Sequence, residues 1–214
     1  MNNIKGIIFD LDGVITNTAR YHYLAWKVIA SELGIIIDER FNESLKGLSR
    51  EKSLDEILKK GGCLEKYSIL EKEALLIQKN EIYLKKIKNL TEDDILDGVR
   101  ELIKKLKLKN IKLGVASASK NASLILKQLN IYDEFDYIAE LSSELKSKPA
   151  PDIFLDVAKK LKLEPCECIG IEDSIVGVQA IKKANMFAIG IGEKIILKSA
   201  GADIIFLNIK NMLD

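Results

Sequence analysis

The chain has 214 residues with 33 basic and 32 acidic side chains, enough for one large domain or a core domain with a smaller insertion. The near balance of charge gives no reason to expect binding to nucleic acid or to a membrane surface, and no apolar run reaches the roughly 18 residues of a membrane span. Three cysteines and one histidine argue against a disulfide scaffold and a zinc site. We therefore expect a soluble, cytoplasmic, monomeric protein that acts on a small molecule.

Residues 4–18 begin with a predicted buried strand, which leads to two carboxylates. An apolar run leads directly to Asp10 and Asp12, and Gly13 permits a sharp exit from the strand. In open α/β sheets, ligands bind beyond the carboxyl ends of the strands. Two carboxylates placed there repel each other unless a cation or a shared proton relieves them. Taken alone, however, a D-x-D pair is more often a helix cap or a turn.

Residues 17–90 show helical periodicity and no strand signal. The first helix is predicted to end near Gly34, and Ser49 is predicted to cap a second helix that Gly61 and Gly62 terminate. A third helix is expected from about residue 64 into the eighties. The predicted inner faces are Tyr21, Leu24, Ala25, Val28, Ile29 and Leu33 for the first helix, and Leu70, Ala74, Leu75 and Ile82 for the third. The segment is thus expected to form a small helical domain.

From residue 97 onward, predicted helices alternate with short apolar strands. The helices are expected at 99–108, 122–129 and 151–161, with a last one at about 175–184. The strands are expected at 111–116, 137–139, 168–171 and 187–191, with a final edge strand at 203–207. This alternation predicts an α/β fold with a doubly wound parallel sheet. The core domain would comprise residues 1–16 and 91–214, and the helical domain of residues 17–90 would be inserted into it.

Three further strand ends carry polar groups. The strand at 111–116 leads into Ser117-Ala118-Ser119-Lys120-Asn121, where hydroxyls and helix amides could bind an anion, although alone this segment is more simply a helix cap. Lys148 precedes Pro149, which favours an extended backbone, and it could neutralise a phosphate or carboxylate or simply be solvated. The strand at 168–171 ends in Glu172 and Asp173, which alone would more simply be a surface acidic pair. Four carboxylates meeting at one edge would require a divalent cation, and oxygen ligands suit Mg²⁺.

In this order, Asp10-Leu11-Asp12-Gly13-Val14, Ser117, Lys148-Pro149 and Gly170-Ile171-Glu172-Asp173-Ser174 resemble the motifs of the haloacid dehalogenase superfamily of phosphotransferases. The resemblance extends into the helical insert, which is similar to the family's cap domain, and it implies a Rossmann-like core. It is closest to the branch that interconverts β-glucose 1-phosphate and glucose 6-phosphate through β-glucose 1,6-bisphosphate. A sugar-phosphate phosphatase of the same superfamily is the alternative. A non-catalytic sugar-phosphate sensor is a third interpretation, against which the intact nucleophile argues.

The resemblance also implies roles for individual residues. Asp10 would attack phosphorus and become an aspartyl phosphate, and Asp12 would act as general acid and base toward the sugar hydroxyl. Mg²⁺ would be held by the Asp10 side chain, the Asp12 backbone carbonyl, Asp173 and Glu172. The transferring phosphoryl group would be bound by Ser117, the Ala118 amide and Lys148.

A mutase needs a second anion site, because its bisphosphate intermediate must be held by either end. The resemblance places there Arg50 with Ser119, Lys120 and Asn121, although Arg50 alone reads as the first residue of a solvated helix. It further implies that the substrate-binding set includes Thr18, His22, Trp26, Lys46, Gly47 and Lys79. His22 could instead lie on a helix surface, Lys79 could be solvated, and Trp26 could pack inside the helical domain rather than stack on the sugar.

Overall fold

The computed structural model describes residues 4–140 and 145–213. The chain divides into two compact units, a sheet unit of Met1–Asn17 with Leu90–Asp214 and a helical unit of Thr18–Asn89. In the described part of the chain, no helix combines the length and the apolar character needed to cross a membrane.

The helical unit contains α1 (Ala19–Glu32), α2 (Glu39–Glu43), α3 (Arg50–Lys60) and α4 (Ile69–Ile87). Ser49 caps α3 as predicted, because its hydroxyl oxygen accepts a hydrogen bond from the Lys52 amide at 3.2 Å. Ser68 and Glu71 cap α4 reciprocally, each side chain accepting from the other's backbone amide. The core of this unit includes Trp26, Ile29, Ala30, Leu54, Ile57 and Leu58, all buried.

The predicted inner face of the third helix was wrong in part. Leu70 is 76% exposed and Ala74 is also exposed, whereas the buried residues of α4 are Lys79, Tyr83 and Ile87. These three follow one another at four-residue spacing and share one helix face. Leu75 and Ile82 pack against the core of the unit as predicted. Apolar periodicity gives no weight to a lysine or to the polar end of a tyrosine, so it missed the buried part of the face that Lys79 and Tyr83 form.

Two other expectations for the helical unit also differ from the structure. Residues 64–66 form a separate 3₁₀ turn, and α4 begins only after the cap at Ser68. On α1, Val28 is 38% exposed while Trp26 and Ala30 are buried, so the inner face is rotated from the predicted one. The short helix α2 was not predicted, because Asp38 caps a segment of five residues without a repeating apolar pattern.

The sheet unit contains, among its described residues, six strands that form one parallel sheet. They are β1 (Gly6–Phe9), β2 (Lys112–Ser117), β3 (Tyr137–Glu140), β4 (Cys168–Glu172), β5 (Phe187–Ile191) and β6 (Ile204–Phe206). Their order is β3-β2-β1-β4-β5-β6, which places β1 at the centre and β6 at an edge, as predicted for the last strand. The strand order changes direction beside β1, and ligands of such sheets bind at that position.

The helices of this unit are α5 (Val99–Leu108), α6 (Ala122–Gln128), α7 (Asp152–Leu161), α8 (Ile175–Lys183) and α9 (Lys194–Ser199). Together with the sheet they give the predicted α/β architecture. The expectation that the helix at about 175–184 would be the last was wrong, because α9 follows it. Helix α9 has six residues and buries only Leu197, so its apolar pattern is too short to recognise.

The two places where the chain leaves and re-enters the sheet unit are hydrogen-bonded to each other. The Leu96 amide donates to the Ile15 carbonyl at 2.9 Å, and the buried Thr16 hydroxyl donates to the Asp94 carbonyl at 2.7 Å. A tight turn precedes them, in which the Gly13 amide donates to the Thr16 carbonyl at 2.7 Å.

Candidate active site

Three carboxylates meet at the carboxyl ends of β1 and β4. These strands are neighbours in the sheet, with Phe9 paired to Ile171, and the Asp10 amide donates to the Ile171 carbonyl at 2.9 Å. One carboxylate oxygen from each of Asp10, Glu172 and Asp173 lies within 4.8 Å of the others. The structure therefore brings together three of the residues for which the sequence implied a metal. The fourth, Asp12, follows in the turn after β1, and its implied ligand is a backbone carbonyl.

Lys148 balances part of the negative charge of this cluster. Its side chain is 1% exposed, and its Nζ lies 2.5 Å from Asp10 Oδ1 and 2.7 Å from Glu172 Oε2. Burial alone would lower the pKa of Lys148, but the charges of Asp10 and Glu172 together raise it above its ordinary value. The lysine is therefore a buried ammonium ion rather than the solvated side chain of the alternative interpretation.

Asp10 is a buried acid whose charge is only partly compensated. Burial and the nearby charge of Glu172 raise the pKa of Asp10 to about 7, against the opposing effect of Lys148. A cation that joined this cluster would favour the ionised form, because an opposite charge nearby lowers the pKa of a carboxyl group. The all-oxygen donor set matches the preference of hard divalent ions such as Mg²⁺.

Glu172 is held in place by hydrogen bonds that the sequence analysis did not predict. Its Oε1 accepts hydrogen bonds from the Asp173 amide at 3.2 Å, the Ser174 amide at 3.1 Å and the Ser174 hydroxyl at 2.8 Å. Ser174 also caps α8, accepting from the Gly177 amide at 3.1 Å. A Cβ at Gly177 would overlap the Glu172 carboxylate, so only glycine leaves room for it. The sequence signal that could have indicated this arrangement is a serine followed three residues later by a glycine, Ser174 and Gly177, at the start of a helix.

Gly13 leaves room for Asp173 in the same way as Gly177 leaves room for Glu172. Its φ is +79°, which favours glycine, and a Cβ there would overlap the Asp173 carboxylate. The D-x-D-G segment therefore leaves space for the carboxylate that directly follows β4, and it also forms the sharp turn that the sequence predicted.

The Ser117–Asn121 segment begins at the end of β2, the other neighbour of β1. Ser117 Oγ accepts from the Ser119 amide at 3.1 Å, and Ser119 Oγ accepts from the Asn121 amide at 3.2 Å. Both serines are buried, while Lys120 is exposed and Ala118 and Asn121 are intermediate. Since each hydroxyl oxygen accepts an amide proton, its own proton can be donated to an anion.

In the helical unit, Lys79 lies among aromatic rings. It is 1% exposed, and its Nζ lies 2.7 Å from His22 Nδ1 and within 4.9 Å of the ring centres of Trp26 and Tyr83. The interpretation of Lys79 as a solvated lysine was therefore wrong. Trp26 is 3% exposed in the same cluster, which favours packing over sugar stacking. Tyr83, which the sequence analysis did not select, donates to Thr18 Oγ1 at 3.0 Å.

His22 is kept neutral by this arrangement. Burial lowers the pKa of His22 well below its usual value, and the positive charges of Lys79 and Arg50 lower it further. Because the Lys79 ammonium group can only donate, Nδ1 accepts and the ring proton resides on Nε2. His22 is thus a hydrogen-bond donor through Nε2 rather than a charged group.

The remaining predicted residues of the helical unit lie around the start of α3. Arg50 is its first residue, directly after the Ser49 cap, and it is partly buried. Gly47 has a φ of +74°, in the region that favours glycine. Lys46 forms an ion pair with Glu43 at 2.8 Å, and its side chain is 34% exposed.

Comparisons with known proteins agree with this geometry. A sequence model of the family described as haloacid dehalogenase-like hydrolase matches residues 4–185. The beta-phosphoglucomutase of Bacillus subtilis is 50% identical over 190 residues, which cover 89% of this chain and 84% of the relative. A solved structure of beta-phosphoglucomutase from Clostridium difficile has a TM-score of 0.95 and 46% identity, and the match covers 98% of this chain and 93% of that chain.

More distant relatives include phosphatases. The fructose-1-phosphate phosphatase YqaB of Escherichia coli is 27% identical over 187 residues, which cover 87% of this chain and 95% of the relative. The same overall sequence pattern thus occurs in proteins named as mutases and in proteins named as phosphatases.

Proposed function

The chain belongs to the haloacid dehalogenase-like hydrolase family, and we propose that within it the chain is a Mg²⁺-dependent mutase that interconverts β-glucose 1-phosphate and glucose 6-phosphate. The observation that carries this proposal is the buried Asp10, which lies beside Lys148 and within 4.8 Å of two further carboxylates. The 50% identity to a beta-phosphoglucomutase supports the mutase over the phosphatase alternative.

The family and the acidic cluster imply a metal cofactor, which we propose to be Mg²⁺. Asp10, Glu172, Asp173 and the backbone carbonyl of Asp12 would hold it. When bound, Mg²⁺ would neutralise negative charge on the nucleophile and on the phosphoryl oxygens.

The residues of the chain then divide the reaction between them. An Asp10 carboxylate oxygen forms a bond to phosphorus while the bond from phosphorus to the sugar oxygen breaks. Asp12 donates a proton to the departing sugar oxygen, and in the return step it removes a proton from the hydroxyl group that attacks the aspartyl phosphate. The Ser117 hydroxyl, the Ala118 amide and the Lys148 ammonium group bind the phosphoryl oxygens throughout.

The proposed intermediate, β-glucose 1,6-bisphosphate, carries a second phosphate. In the sheet unit, Ser119, Lys120 and Asn121 are proposed to bind it. In the helical unit, Arg50 is proposed for the same role, because a guanidinium group can donate two hydrogen bonds to one phosphate. Thr18, His22, Trp26, Lys46, Gly47 and Lys79 stay predicted substrate-binding residues. A monomeric state and a cytoplasmic location are likewise predictions, the first of which size-exclusion chromatography with light scattering would check.

A primed assay tests the proposal. With Mg²⁺ and a catalytic amount of β-glucose 1,6-bisphosphate, β-glucose 1-phosphate is expected to disappear into glucose 6-phosphate with little free phosphate. Stoichiometric release of phosphate without isomerisation would establish the phosphatase alternative instead. Asp10→Asn serves as the control, because equal turnover by the variant would remove Asp10 from the mechanism.

A further inference from the structure

Glu140, the last residue of β3, makes a contact that the proposed mechanism does not use. Its Oε1 accepts a hydrogen bond from the backbone amide of Ser123 at 2.7 Å. Ser123 is the second residue of α6, so the bond links the end of β3 to the start of the helix that follows the Ser117–Asn121 segment. Glu140 is partly buried at this position.

The sheet places Glu140 directly beside Ser117. The two residues are paired in the register of β2 and β3, and paired residues on neighbouring strands project to the same face of a sheet. One end of the segment is thus fixed by strand pairing at Ser117. The other end is fixed where Ser123 donates to Glu140.

Side-chain oxygens accept from every second amide from Ser119 in this segment to Ser123 in α6. Ser117 accepts from the Ser119 amide, Ser119 accepts from the Asn121 amide, and Glu140 accepts from the Ser123 amide. The first two acceptors belong to the segment itself, and only the third comes from another strand. This third bond therefore ties the start of α6, which follows the segment, to the end of β3.

We propose that Glu140 is a positioning residue, whose hydrogen bond to the Ser123 amide holds Ser117 and Ser119 in the geometry that binds phosphate. This inference rests on the proposed function, since it assigns phosphate binding to the Ser117–Asn121 segment. In this role Glu140 acts through the Ser123 amide and not by binding phosphate itself. The bonding group is the carboxylate oxygen, which an amide oxygen can replace in the same place.

Two substitutions separate the hydrogen bond from other effects. Glu140→Gln retains an acceptor oxygen, and Glu140→Ala removes it. Asp136→Ala is the matched control, because Asp136 Oδ2 accepts from the Leu113 amide at 2.8 Å at the opposite end of the same strand pair. Each alanine substitution thus removes one hydrogen bond from a backbone amide to a carboxylate, at the last residue of β3 for Glu140 and at the residue just before β3 for Asp136.

The dissociation constant of inorganic phosphate in the presence of Mg²⁺ is measured by calorimetry, and KM and kcat are measured in the primed assay. Glu140→Ala is expected to weaken phosphate binding and raise KM about tenfold, the order of one hydrogen bond to a charged group, with a smaller effect on kcat. Glu140→Gln and Asp136→Ala are expected to stay within about twofold of the unmodified protein.

An unchanged phosphate affinity in Glu140→Ala would overturn the inference, and so would an equal loss in Glu140→Gln or in Asp136→Ala. Calorimetry needs no turnover, so the inference is tested separately from the proposed function. Absence of mutase activity in the unmodified protein would refute the function alone, while the ratio of phosphate affinities would still decide the role of Glu140.

Discussion

Replacing Lys148 with methionine should destabilise the metal-free protein in a pH-dependent way. The substitution keeps the length of the side chain but removes an ammonium group that is 1% exposed and lies 2.5 Å from Asp10 and 2.7 Å from Glu172. Removing one partner of a buried ion pair leaves uncompensated charge and costs about 3–5 kcal/mol in the free energy of unfolding. We expect a loss of this size at pH 8.

The loss should be smaller at pH 5. The pKa of Asp10 in the folded protein is about 7, above its value of about 4 in the unfolded chain, so its burial lowers stability progressively as the pH rises between these values. Lys148 opposes the rise of that pKa, and without it the pKa of Asp10 moves higher still. At pH 5 Asp10 is therefore protonated in the variant, and less negative charge is left buried without a partner. Each unit of pKa change corresponds to about 1.4 kcal/mol.

The loss in the free energy of unfolding is measured at pH 5 and at pH 8 by urea unfolding in the presence of EDTA, with circular dichroism as the signal. Lys182→Met is the matched control, because Lys182 forms an ion pair with Asp203 at 2.7 Å in which both side chains are partly exposed. Its loss should be about 0–1 kcal/mol with no change between the two pH values. A Lys148→Met loss as small as that of Lys182→Met, or one equal at pH 5 and pH 8, would refute the argument that Lys148 balances buried carboxylates.

Two further substitutions test what holds Glu172 in position and what lowers the pKa of His22. Gly177→Ala should displace the Glu172 carboxylate, because a Cβ at this position would overlap it. Calorimetric titration should then show Mg²⁺ binding weakened about tenfold to a hundredfold. An unchanged Mg²⁺ affinity would show that Glu172 can move without weakening the metal site. Lys79→Met should raise the pKa of His22, because it removes a charge that opposes protonation, and NMR titration of this single histidine measures the change. A His22 pKa that stays equally low would mean that burial and the charge of Arg50 set it without Lys79.

The convergence of the acidic groups could be predicted from the sequence because it depends on local patterns. Apolar runs located the ends of β1 and β4, and parallel strands bring their carboxyl ends to one edge. Asp10, Glu172 and Asp173 accordingly meet there. The periodic helices of the sheet unit were also predicted to within one or two residues, since α5, α7 and α8 carry regular apolar faces.

What the sequence could not supply were contacts between segments that no local pattern connects. Glu140 accepts from an amide 17 residues earlier in the chain, and nothing near either residue indicates the pairing. Likewise, Gly177 is required because a carboxylate occupies its side-chain space, and a single glycine in a helix does not reveal that. Part of the inner face of α4 was missed because Lys79 is buried by rings on α1 and on α4 itself, which becomes visible only when the two helices pack.

The two buried lysines have opposite effects on the charged forms of their neighbours, but burial has the largest effect on the pKa of both Asp10 and His22. Lys148 favours the charged form of Asp10, but burial and Glu172 outweigh it and raise the pKa of Asp10 to about 7. Lys79 disfavours the charged form of His22, and burial acts in the same direction, so the histidine is neutral throughout that range. A titration near pH 7 would ordinarily be assigned to the single histidine of a chain. In the metal-free protein the raised pKa of Asp10, the proposed nucleophile, makes that carboxyl group the expected source of such a titration instead.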